Sequence, residues 1–266
     1  MPHPPPVPRR NSGTANPPRP PHERQRLRIC GLAAVRALFE RDPERVERLF
    51  FEPGLTREVG ALCRILANAR KPYRTIEGAE LARVAGTVLH GGVVAIARPR
   101  PICELDPEEA GEWSRDGKPL VILDGVGNPH NLGAIARTAA FFSVERMVLA
   151  DRADQALPSD AAYRVAEGGL EHLTLYRARL PAALSRLRPS YRILGTALGG
   201  GTNLVERTGG GPVALILGNE ETGLDPATLA ACDEVVMIPG SGYVQSLNVA
   251  SAAAILIYLL TRSSSG

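Results

Sequence analysis

Lysine is almost missing from this chain: of 31 basic side chains only Lys71 and Lys118 are lysines, and the rest are arginine. That bias runs through the whole sequence and reads as base composition of the gene rather than as a functional patch. Cysteine is scarce too. Cys30, Cys63, Cys103 and Cys232 lie far apart with no CxxC pair, the pattern of reduced cytosolic thiols rather than a disulfide framework. No apolar run approaches the roughly 20 residues of a membrane span. No apolar core of a signal peptide occurs near the start, so a cytoplasmic protein is expected. The loop "GVGNPHNLG" is not a dinucleotide fingerprint, because His130 stands where GxGxxG needs its third glycine, and no P-loop Lys-Ser/Thr occurs. No Cys or Asp cluster at ligand spacing accompanies His130, so no metal is expected.

What is present is enough for one large or two modest domains: 266 residues, 44% of them hydrophobic. The net charge of +3 is uneven. Residues 1–30 carry Arg9, Arg10, Arg19, Arg24, Arg26 and Arg28 against Glu23, a balance of +5, so the remainder holds about −2. Basic arms of this kind touch nucleic acid through phosphate attraction, or simply keep a chain in solution. Residues 1–22 hold nine prolines and no acidic residue. Such a segment builds no core, and residues 1–25 are expected to be a disordered basic tail.

Residues 26–100 alternate periods. "GLAAVRALFER" and "TREVGALCRILANARK" space apolar residues as helices, and "VERLFFE" and "GVVAIARP" as strands, which predicts a small α/β domain. Residues 101–118, rich in proline and acids, read as a linker. Residues 119–266 then alternate strands ("PLVILDGV", "RMVLAD", "YRILGTAL", "PVALILG", "EVVMIP") with helices ("LGAIARTAAFF", "PAALSRLR"). That order predicts an α/β, doubly wound, mostly parallel sheet, whose ligands sit at the carboxyl ends of the strands. Three polar or glycine-bearing loops leave those ends.

Two details need an explanation. From Val249 to Leu260 the only polar side chains are Ser251 and Tyr258, so the helix expected there has no polar face and should be buried. It follows the polar loop "SGYVQSLN". Arg137 stands among alanines on a mostly apolar helix that Asn131 is placed to cap. A guanidinium is costly to bury unless paired. Either it pairs with Glu220 and does no more, or it is a fork aimed at an anionic or hydroxyl-rich substrate.

"NPHNLGAIARTA", "ALILGNEETGL" and "IPGSGYVQSLNVASAAAIL" resemble the three ordered motifs of the SpoU (TrmH-type) RNA ribose 2′-O-methyltransferases, and "ICGLAAVRALF" with "HGGVVA" resembles that family's substrate-binding domain. The resemblance covers about residues 28–260. It implies a SPOUT fold with a C-terminal trefoil knot, bent S-adenosylmethionine among the knot loops, and a homodimer in which the apolar helix is knot core and interface. It implies an RNA substrate, ribosomal favoured over transfer RNA. Carried over by position, the catalytic set is Asn131, Arg137, Glu220, Ser246 and Asn248. The cofactor set is Leu217, Gly218, Asn219, Ile238, Ser246 and Leu247. Gly240, Glu221 and Gln245 depart from residues common in the family and bear on the pocket rim. A catalytically silent RNA-binding protein on the same fold and a dinucleotide enzyme are the rival readings. The intact motif residues weigh against the first.

Overall fold

The apolar spacing after Arg26 folds into two sheets that share one core. In the computed structural model, which describes residues 26–197, 201–203 and 211–262, the first unit contains β1 (Leu27–Cys30), α1 (Leu32–Arg41), β2 (Val46–Phe51), α2 (Gly60–Asn68), β3 (Tyr73–Thr75), α3 (Gly78–Ala85) and β4 (Val93–Ala97). Its strand order is β1-β4-β2-β3, with β4 antiparallel to β1 and β2, and β3 parallel to β2. The helix expected from Thr56 to Lys71 is shorter at both ends: residues 56–59 are turns that lead into it, and after it Arg70 turns the chain at φ 53°. The tail expectation for residues 1–25 lies outside the described residues.

The segment expected as a linker is folded. It holds β5 (Cys103–Glu104) and α4 (Pro107–Trp113), whose Asp106 cap accepts from the Glu108 N–H at 2.9 Å. Trp113 is buried against Tyr176, ring centroids 4.7 Å apart. The proline and acids taken as breakers are a helix start: a capping Asp, proline in the first turn, and glutamates at the positive end of the dipole.

The second unit continues with β6 (Leu120–Asp124), α5 (Pro129–Phe141), β7 (Arg146–Ala150), α6 (Asp160–Ala166), β8 (Thr174–Ala178), α7 (Ala182–Leu187), β9 (Arg192–Thr196), β10 (Thr202–Asn203), β11 (Val213–Gly218), α8 (Pro226–Ala230), β12 (Glu234–Met237) and α9 (Val249–Arg262). The sheet order is β10-β12-β9-β11-β6-β7-β8-β5, with every neighbouring pair parallel. Every residue of β6 and β11 is buried, as continuous apolar strands covered on both faces must be. From β6 the chain moves to β7 on one side, and from β11 to β12 on the other. The crevice at their carboxyl ends is therefore a topological switch point, where such sheets bind ligands.

α9 packs on α5 and β11 but is not buried all round. Val249, Ala253, Leu256 and Ile257 face the core, while Ile255 (37% exposed) and Tyr258 (45%) face outward; Phe141 (81%), at the end of α5, lines a surface hollow with Tyr258. The missing polar face is real, and one chain leaves part of it uncovered.

Candidate active site

A cleft open to solvent lies at the carboxyl ends of β9, β11 and β12, beside the switch point. Leu217, Gly218, Asn219, Glu220, Ile238, Gln245, Ser246 and Leu247 line it, with Thr196, Val236, Val249 and Leu256. All six positions of the cofactor set therefore reach one cavity.

The loop after β11 is shaped by its own side chains. Asn219 and Gly223 exchange two backbone hydrogen bonds of 3.0 Å, and Asn219 Oδ1 accepts from the N–H groups of Glu221 and Thr222 at 2.9 and 3.0 Å. A Cβ on Gly218 would meet the Gly223 carbonyl carbon at 2.5 Å, so only glycine allows this return. Asn219 Nδ2 donates to the Gly125 carbonyl at 2.8 Å, which ties the loop after β11 to the loop after β6.

Three side chains from the three motifs meet at the mouth. Asn131 Nδ2 donates to Glu220 Oε1 at 2.5 Å, and Asn248 Nδ2 donates to Asn131 Oδ1 at 3.1 Å. Asn248 Oδ1 accepts from the Ala250 N–H at 2.9 Å, so the same residue also caps α9. Ser246 lies in the exposed stretch 241–248 on the cleft wall.

Two expectations are corrected. The cap of α5 is Asn128, which accepts from the His130 N–H at 2.8 Å, with Pro129 in the first turn; Asn131 lies inside the helix and its amide bonds Glu220 and Asn248 instead of capping. Arg137 is neither buried nor paired with Glu220. Six residues at about 100° each carry it away from the face of Asn131. It pairs with Glu167 at 3.0 Å, the two side chains being 57% and 55% exposed. Of the residues expected to be catalytic, Asn131, Glu220 and Asn248 are hydrogen-bonded together and Ser246 shares the cleft wall with Glu220, whereas Arg137 lies apart.

Sequence reading missed Asp124, Arg152 and Gln155, which brace the loop after β6 from behind. A lone Asp at the end of an apolar strand was the only hint. Among the described residues no group of three His, Cys, Asp or Glu is placed to hold a metal, and no helix is long and apolar enough to cross a membrane.

Residues 118–258 match the model of the SpoU rRNA Methylase family, and residues 28–102 that of the RNA 2′-O ribose methyltransferase substrate binding family. The chain belongs to the SpoU family. It is 34% identical over 244 residues to the 23S rRNA (guanosine-2′-O-)-methyltransferase RlmB of Acinetobacter baylyi, covering 89% of this chain and 97% of the relative. The RlmB of Escherichia coli K12 is 34% identical over 244 residues, covering 89% and 98%. An AdoMet-bound rRNA methyltransferase from Sinorhizobium meliloti shares the fold, with a TM-score of 0.73 at 23% identity over 90% of this chain and 88% of that one.

The cleft suits S-adenosylmethionine. Leu217, Val236, Ile238 and Leu256 offer an apolar slot for a purine, and the Glu220 carboxylate at the rim complements a cation. The tight 218–223 return exposes backbone to whatever enters.

Proposed function

We propose that this chain transfers the methyl group of S-adenosylmethionine to a ribose 2′-hydroxyl of ribosomal RNA. The observation that carries the reading is the Asn248–Asn131–Glu220 hydrogen-bond chain at the mouth of a cleft lined by the second and third motifs. The RlmB relatives, named for guanosine 2′-O methylation of 23S rRNA, favour ribosomal over transfer RNA. The cytoplasm is the proposed place of work.

The cofactor supplies an electrophilic methyl on a sulfonium. The transferred methyl leaves sulfur for the ribose oxygen, whose proton passes to a base or to water. What the chain adds is geometry and a better nucleophile. Asn131, Ser246 and Asn248 orient the ribose, and Glu220 holds the Asn131 amide. Arg137 brings a cationic fork of N–H donors, so its part is to grip the phosphate beside the target ribose and ease loss of the hydroxyl proton.

Arg137 is away from its own chain's cleft, and it shares a helix face with Phe141 four residues on. Phe141 and Tyr258 line one surface hollow, and Ile255 is exposed one turn before Tyr258 on α9. A monomer rarely leaves such a patch bare. The working unit is accordingly a homodimer whose surface is this patch, with Arg137 serving the partner's cleft. The packing of α9 on α5 and β11 supports a C-terminus threaded as the trefoil knot of the family. Gln245 on the cleft wall and Glu221 on the return loop reshape the rim.

Two measurements test this. Ribosomal RNA treated with the protein and labelled cofactor is mapped for 2′-O-methylation; RNA with a single 2′-deoxy at the mapped position should bind but accept no methyl, and equal methylation would sink the ribose assignment. Arg137→Ala and Ser246→Ala chains, each inactive alone, should regain activity when co-assembled. Continued inactivity of the mixed dimer would place Arg137 outside the partner's site.

A further inference from the structure

Gln155, outside all three motifs, is 5% exposed and uses its whole amide. Its Oε1 accepts from the Gly125 N–H at 3.0 Å, and its Nε2 donates to the carbonyls of Val126 and Ala156, both at 3.1 Å. The Ala156 N–H adds a bond to the Val126 carbonyl at 2.9 Å. Gly125 is held from the other side by Asn219, on the cleft wall. Three residues beyond Gly125 the Asn128 cap starts α5, and Asn131 follows on its first turn.

Arg152 closes the back of this assembly. It donates to Asp154 at 2.5 and 2.9 Å and to Asp124 Oδ1 at 3.0 Å. These bonds raise its own pKa and lower that of Asp154, so the pair stays charged at neutral pH. Asp124, 2% exposed, also accepts from the Asp225 N–H at 3.4 Å, just past the return loop. Gly125 sits at φ 79°, and a Cβ there would lie 3.1 Å from the Arg152 guanidinium carbon. Segments after β6, β7 and β11 are thus bolted together at Gly125.

We propose that Gln155 is a positioning residue for methyl transfer: through Gly125 and Val126 it fixes the start of α5, and so Asn131, against the 219–223 loop of the cofactor cleft. The inference rests on the methyltransferase reading above. It predicts that loss of the amide disturbs the reacting geometry more than cofactor binding, because the cleft walls themselves remain.

The test is Gln155→Ala, with thermal unfolding, S-adenosylmethionine affinity by calorimetry, and the single-turnover rate at saturating cofactor and RNA. The rate should fall about tenfold to hundredfold in folded protein, the scale expected of a misplaced reacting group, with cofactor affinity nearly unchanged. A wild-type rate, or a loss that follows only cofactor affinity, overturns the proposal. If the alanine variant does not fold, Gln155→Glu decides. Burial favours its neutral acid, which accepts from Gly125 and donates to Val126. Its rate relative to wild type should therefore rise as pH falls, and a flat ratio overturns the proposal. The wild-type control separates the two claims: failure of that control to methylate a ribose defeats the proposed function, whereas an active control beside an unimpaired variant defeats only the role of Gln155.

Discussion

Arg45 and Glu171 meet at 2.7 Å with side chains 6% and 0% exposed, whereas Asn131, Glu220 and Asn248 meet at similar distances around a cleft open to solvent. Both clusters join distant parts of the chain, yet they sit in opposite surroundings. The first lies where the small sheet meets the large one. Arg45, just before β2, also donates to the Arg98 carbonyl at 2.8 Å and to the Tyr163 hydroxyl at 3.4 Å. Arg100 adds bonds of 3.0 Å to the carbonyls of Glu171 and Leu173. Burial raises the Glu171 carboxyl above its ordinary value against the pull of both arginines, and burial likewise pushes the Tyr163 hydroxyl up to about 12. Charges taken this far out of water add little net stability, but they demand one geometry. The cleft cluster faces water and keeps hydrogen-bonding capacity for a ligand. One cluster sets how the substrate-binding unit sits on the catalytic unit, and the other is left available for chemistry.

The largest effect should come from the buried pair. Glu171→Ala strands Arg45 in a dry junction, and breaking such a pair costs about 3–5 kcal/mol. Denaturant unfolding should record that loss, and Arg45→Met with Glu171→Leu should recover most of it. A loss under about 1 kcal/mol would mean that water already reaches the junction and that the contrast with the cleft is false.

Asn131→Ala should reverse the pattern. It removes the link between Glu220 and Asn248 at a half-exposed place, so unfolding should change by about 1 kcal/mol. The single-turnover rate should nonetheless fall about a hundredfold, as for other misplaced reacting groups. A large fall in stability with an unchanged rate would make the chain Asn248–Asn131–Glu220 a structural clasp.

How legible these clusters were differs for physical reasons. Motif order and apolar periodicity located β2, β4, β6, β7, β9, β11 and β12, and the motif positions led to Asn131, Glu220, Ser246 and Asn248. Short elements escaped: β3 is three exposed residues at a sheet edge, and α4 hides behind proline and acids. The Arg45–Glu171 pair is 126 residues apart in sequence and has no local signal. Gln155 acts only through backbone groups of another loop. Arg137 was misread because alanine neighbours suggest burial, whereas the helix turns that side toward α1 and solvent.

The smallest effect belongs to an exposed contact, Arg137 with Glu167. A surface pair more than half exposed on both sides contributes about 0–1 kcal/mol, so Glu167→Gln should leave unfolding nearly unchanged. Glu167 sits at φ 45°, and glutamine keeps the same backbone strain, so the substitution isolates the charge. In the proposed dimer Arg137 must exchange this carboxylate for an RNA phosphate before it can act. Removing the competing anion should then tighten RNA binding modestly, most visibly at low salt where phosphate contacts are least screened. The transfer rate should hold or rise slightly. RNA affinity measured over a salt series, together with the single-turnover rate, checks both points. A tenfold loss of rate would show instead that Glu167 aims the guanidinium, and that the exposed pair belongs with the cleft cluster rather than in contrast to it.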